Sequence, residues 1–213
     1  MRRRATLRIF EEELRVLVSE IKRFPNTETG GALYGLWSHG GQPTVWLATR
    51  PGPRAERRHT YFADDPATHM ALERGLWERF GVQCVGVWHS HHHLGMPVLS
   101  TGDIDRTRTY ARHTGRQRFA EVLGYYLEDD RVGLKPWIYP RASDGHCIAS
   151  RFEVLPGRSP LRRSLHTIGL ERLGDALAPP SPSVRDGLVL EASEPRADGP
   201  ADDGGGADPS RTA

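Results

Sequence analysis

Cysteine is scarce in this chain: only Cys84 and Cys147 occur among 213 residues, far apart and in no CxxC pair. That excludes a disulfide framework and a cysteine-type zinc site, and it leaves two ordinary thiols expected in a reducing compartment. Long apolar runs are missing too, so nothing reaches transmembrane length. The basic start, Met1-Arg2-Arg3-Arg4, leads at once to Glu11-Glu12-Glu13. That argues against a signal peptide, and a cytoplasmic protein is the expectation. No internal repeat is present. The formal net charge of +2 is unevenly spread. From Pro179 onward seven acidic residues face three basic ones, about −4, which leaves the body at about +6. A basic body can meet nucleic acid or an acidic protein face. No aromatic-rich basic stripe accompanies it, so nucleic acid is not the expected partner.

What is present reads as alternating β and α segments. Residues 5–10 suit a short strand. Leu14, Leu17, Val18 and Ile21 then recur at helical spacing in an amphipathic helix from Glu11 to Phe24. Ala32–Trp37 and Thr44–Thr49 are apolar runs around a Gly40-Gly41 turn, as in a hairpin. Arg50–Arg58 reads as a solvated, charged loop, and Thr60-Tyr61-Phe62 as a third strand. Asp65-Pro66 announces a helix to about Arg79, stopped by Gly81. Val82–Val87 is apolar almost throughout, as a strand buried on both faces would be. Ser100 opens another helix to about His113. Phe119–Leu127 and Val132–Tyr139 suit a hairpin turning at Glu128-Asp129-Asp130, and Cys147–Leu155 a last strand. The expected class is α+β or α/β, a mixed β-sheet flanked by helices. Residues 1–157 form the expected domain, Leu161–Leu177 suits one more helix, and residues 179–213 have the composition of a disordered tail.

The Val82–Val87 strand runs directly into Trp88-His89-Ser90-His91. Side chains at i and i+2 of an extended segment point to the same side, so both imidazoles can enter one cleft. Asp103 can add a carboxylate from the first turn of the following helix. Two imidazoles and a carboxylate leave the fourth position of a tetrahedral zinc open for water. Each residue also has a bland reading. Adjacent histidines suit a solvated loop, Ser100-x-x-Asp103 suits a capping box, and Glu28 suits a turn before Gly30-Gly31. Taken together, those readings need a coincidence of strand, His-x-His, loop, Ser-x-x-Asp and helix.

Trp88-His89-Ser90-His91 with Leu99-Ser100-Thr101-Gly102-Asp103 resembles the signature of the JAB/MPN+/JAMM metalloprotease family, a glutamate followed by H-x-H-x7-S-x2-D. Glu28-Thr29-Gly30-Gly31-Ala32-Leu33-Tyr34-Gly35 resembles that family's upstream glutamate segment. The likeness covers about residues 5–157. Eight residues separate His91 from Ser100 where seven are usual, and His92 stands where many members have proline. A His91/His93 register is the alternative; the strand favours His89/His91 by delivering both at its end. The resemblance implies a three-layer, cytidine-deaminase-like core and zinc held by His89, His91 and Asp103. It also implies Glu28 as general base and Ser100 as oxyanion donor. The implied activity is hydrolysis after the C-terminal glycines of a ubiquitin-like or carrier protein, at a linear or isopeptide bond. Non-catalytic scaffold members typically lose the metal ligands, whereas this set is intact. Distant kin linked to DNA repair supply the nucleic-acid alternative.

Overall fold

Alternating apolar residues make β1 (Thr6–Phe10), whose Leu7 and Ile9 are fully buried. In the computed structural model, residues 5–91, 96–127, 131–165, 177 and 188–190 are described. The chain turns at once into α1 (Glu11–Arg23), with three glutamates in its first turn and Lys22 and Arg23 in its last. That charge order complements the helix dipole. β2 (Gly30–Trp37) and β3 (Pro43–Ala48) form the expected hairpin, with Gly41 at φ +77° in its turn. α2 (Pro66–Phe80) begins at Asp65, which accepts from the Thr68 amide, and ends on Gly81 at φ +62°. β6 (Gln83–Ser90) is buried along nearly its whole length. After α3 (Thr101–Thr114) come β7 (Phe119–Tyr126) and β8 (Val132–Arg141), paired antiparallel. The turn read at Glu128-Asp129-Asp130 lies outside the described residues.

Three segments depart from expectation. The loop read at Arg50–Arg58 contains β4 (Glu56–Arg58), which pairs only with β5 (Tyr61–Ala63) in a separate two-stranded ribbon. Nor is this segment simply solvated. Arg50 and Arg57 reach buried Glu20 at 3.4 and 3.2 Å, and Arg54 reaches buried Asp65 at 2.9 Å. Glu20 draws the Arg50 and Arg57 guanidinium groups inward, while Arg54 reaches Asp65 from an exposed position. The single last strand is two: β9 (His146–Ala149) pairs with β8, and β10 (Arg151–Leu155) pairs with β1. Ser150 is the bend, its amide donating to Pro136 O while the Arg151 amide donates to Ala5 O. Finally, Leu188–Leu190, inside the stretch read as disordered, form β11 parallel to the start of β8. The rest of that stretch lies outside the described residues, as do residues 166–176 of the helix read at Leu161–Leu177. The described helix there is α4 (Pro160–Ser164).

The result is a mixed α+β fold. Its large sheet runs β10-β1-β3-β2-β6-β7-β8-β11, with β9 also on β8. Because β9 and β10 are consecutive yet join opposite ends, the sheet is nearly closed. One core packs α1 against it through Leu14, Leu17, Val18 and Ile21. The other packs Leu72 and Leu76 of α2, Ala111 of α3 and Leu161 of α4. Among the described residues no helix is long and apolar enough to cross a membrane.

A buried ion pair docks α4. Arg162 donates from Nε and Nη2 to the two carboxylate oxygens of Glu13, both at 2.7 Å, and Nη2 also donates to Ala48 O at 2.9 Å. Glu13 completes the loop by accepting from the Ala48 amide at 2.7 Å. Arg162→Met would strand the Glu13 carboxylate in the interior, an expected cost of about 3–5 kcal/mol. Arg162→Lys keeps the charge but loses the two-pronged geometry, and an intermediate loss is expected. Urea denaturation of both variants measures this; a Met variant as stable as wild type would show that the pair does not hold α4.

Candidate metal centre

The site lies where β6 runs out. Gly30 of β2 pairs with His89, and beyond the strand end the Ser90 amide donates to Thr29 O at 2.7 Å. On the other flank the His91 amide donates to Gly124 O at 2.9 Å, continuing the parallel pairing of β6 with β7. Both imidazoles are therefore held by ladder hydrogen bonds, with ring centroids 5.3 Å apart. The close passage of β2 needs Gly31: a Cβ there would sit 2.1 Å from Thr49 O and 2.8 Å from the Trp88 indole nitrogen.

Asp103 enters from the first turn of α3. Ser100 caps that helix, accepting from the Asp103 amide at 3.1 Å, while the Ser100 amide donates to Asp103 Oδ2 at 2.8 Å. The capping-box reading and the ligand reading thus describe one geometry. With Oδ2 engaged there and by the Ser100 hydroxyl at 2.6 Å, Oδ1 faces His89 Nε2 at 3.5 Å. His91 Nε2 lies 3.5 Å from Oδ2. Ligand atoms of His89, His91 and Asp103 all fall within 4.8 Å of one another, so one metal ion can bridge them. His89 Nε2 is buried without a hydrogen-bond partner and faces Asp103 Oδ1, as a nitrogen able to ligate a metal would. Each imidazole uses its other nitrogen elsewhere: His91 Nδ1 donates to Met96 O at 2.7 Å, and His89 Nδ1 faces Glu121 Oε1 at 3.3 Å. Both Nε2 atoms therefore point to the centre, a donor set that suits a borderline divalent cation once His89 gives up its proton.

Glu28 stands two residues before Gly30, on the extension of β2. Its amide donates to Arg58 O at 2.9 Å, which ties it to the β4–β5 ribbon. Arg57 steadies that ribbon from Thr29 Oγ1 at 3.2 Å to Glu20. Burial raises the Glu28 carboxyl above its ordinary range, moderated by the charges of His89 and His91. Burial alone would lower the His89 pKa; the facing carboxylates of Asp103 and Glu121 outweigh it and lift the imidazole to about 9. Asp103 is pushed up by burial but held well below the carboxylate range by His89, His91 and Ser100. His92 and His93 lie outside the described residues. Sequence reading missed Glu121 and the Met96 carbonyl. A glutamate amid the apolar run Phe119–Tyr126 was the available signal for the first; a backbone carbonyl leaves none. A groove of about 870 Å³ beside Gln83, at the opposite end of β6, shares no residue with the cluster.

No family model matches the sequence, and no curated protein does. Among solved structures, a protein from Desulfitobacterium hafniense aligns at 12% identity with a TM-score of 0.53, over 71% of this chain and 94% of that one. A Salinibacter ruber protein aligns at 21% identity and a TM-score of 0.45, over 72% and 94%. Both are structural genomics targets. The first likeness bears on the fold alone; the second is too loose to carry an argument.

Metal binding should depend on pH with a definite sign. Without metal, His89 keeps its proton up to about pH 9, and ligation must displace it. The apparent zinc association constant should therefore rise about tenfold per unit from about pH 6 to about pH 8. Competition titration with a fluorescent chelator reads this directly, and a flat profile would contradict the protonation described.

Proposed function

We propose that this chain is a zinc-dependent peptidase of the JAMM type. It hydrolyses the bond after the C-terminal glycines of a ubiquitin-like or carrier protein, as a linear or isopeptide bond. The observation that carries the reading is the meeting of Glu28 with the His89/His91/Asp103 cluster at the ends of β2 and β6. A three-layer, cytidine-deaminase-like core belongs to the same proposal, supported by helices on both faces of the sheet.

Zinc, when bound, supplies the positive charge that acidifies a water and polarises the carbonyl under attack. The chain's own residues do the rest. Glu28 takes the proton from the attacking water and returns it to the leaving amine. Its raised pKa suits a group that must both accept and give back a proton. Ser100, whose hydroxyl donates to Asp103 at rest, donates to the developing oxyanion when turned toward substrate. A glycine-rich tail suits such chemistry because it carries no side chains and can lie extended along a strand edge.

Glu28→Gln preserves shape but removes the base. Cleavage of a diglycine-linked fusion should fall by about two to four orders of magnitude, with zinc content unchanged by elemental analysis. Wild-type turnover in this variant would remove Glu28 from the mechanism, and loss of zinc would make it a ligand instead.

A further inference from the structure

We propose that Glu121 is the positioning residue of the metal centre, fixing the His89 ring so that Nε2 alone is presented for ligation. The inference rests on the metal-binding reading of His89, His91 and Asp103. Glu121 lies on β7, 2% exposed, with its strand hydrogen-bonded directly beside β6. Its Oε1 faces His89 Nδ1 at 3.3 Å. Its Oε2 accepts from the Tyr139 hydroxyl at 2.6 Å and from the Thr107 hydroxyl at 3.2 Å. A carboxylate in an apolar strand is costly unless its acceptor capacity is filled, and here two hydroxyls and an imidazole N–H fill it.

The placement of those donors gives the arrangement its direction. Tyr139 comes from β8. Thr107 comes from α3, one helical turn beyond Asp103. The same helix therefore sends Asp103 to the Nε2 side of His89 and Thr107 to the carboxylate on the Nδ1 side. Glu121, facing Nδ1, keeps a proton there, so the buried Nε2 is the nitrogen that gives up its proton to a metal. A carboxylate bonded to a ligand imidazole both orients the ring and makes it a stronger donor. His91 is oriented by a neutral carbonyl, that of Met96. The two ligands thus differ in strength, with His89 the anchored one.

The test uses the full-length protein with zinc as the probe. Glu121→Gln keeps the volume and removes the charge, and its amide can present NH2 to His89 and reverse the tautomer. The zinc dissociation constant is expected to rise about 10- to 100-fold, with the circular dichroism of the metal-free protein unchanged. Tyr139→Phe leaves the carboxylate in place and should weaken zinc less. Long-range ¹H–¹⁵N spectra of zinc-loaded wild type should show His89 protonated at Nδ1 and ligated through Nε2, a readout that stands even if Glu121→Gln fails to fold. Unchanged zinc affinity in a folded Glu121→Gln variant, or a His89 ligated through Nδ1, overturns the role given to Glu121 alone. A wild-type protein that binds no zinc overturns the metal reading and this inference with it.

Discussion

Strand β6 has an antiparallel neighbour on one side and a parallel neighbour on the other, and the site follows from that difference. Antiparallel pairing with β2 sets the start of β2 against the end of β6, which brings Glu28 and Thr29 beside His89 and Ser90. Parallel pairing with β7 requires a crossover, because the chain must return to the other end before the next strand can begin. α3 is that crossover, and its N-terminus lies over the end of β6. A helix N-terminus satisfies its free amides with a capping group, and Ser100 and Asp103 meet that need while Asp103 faces the imidazoles.

The buried charges fall into two kinds. Glu13 is answered by Arg162, and Glu20 by Arg50 and Arg57. In those places the cation comes from the chain and the pair fastens one element to another. Around His89 the balance differs. Two buried carboxylates, Asp103 and Glu121, face one imidazole, and the guanidinium that approaches Asp103 among the described residues, that of Arg106 at 3.8 Å, is half exposed. The interior here holds more negative charge than its basic side chains offset. A proton on His89 offsets one of the two carboxylate charges, and a divalent cation would offset both.

Local signals in the sequence were clear where one element's chemistry sufficed. Asp65-Pro66 and Gly81 bounded α2, glutamates opened α1, and the apolar run into His89 marked β6, because caps and periodicity act within a few residues. What the sequence hid was decided by distant partners. β4 is three charged residues whose strand character comes from β5, and whose Arg57 turns inward because Glu20 is buried across from it. Ser150 divides one apolar stretch between two ends of the sheet, which no local pattern records. Glu121 was visible as an odd charge, but its partners lie 14 and 18 residues away through Thr107 and Tyr139, and further still at His89.

β8, ten residues long, would otherwise present a broad unpaired flank. β9 covers its second half and β11 covers Val132 to Leu134. A long strand with free amides and carbonyls is a template on which another chain can add, and proteins that leave one open tend to assemble edge to edge. Three residues from far along the chain close that flank. The closing of that flank therefore depends in part on a segment remote from the His89 cluster, supplied by the chain folding back upon itself.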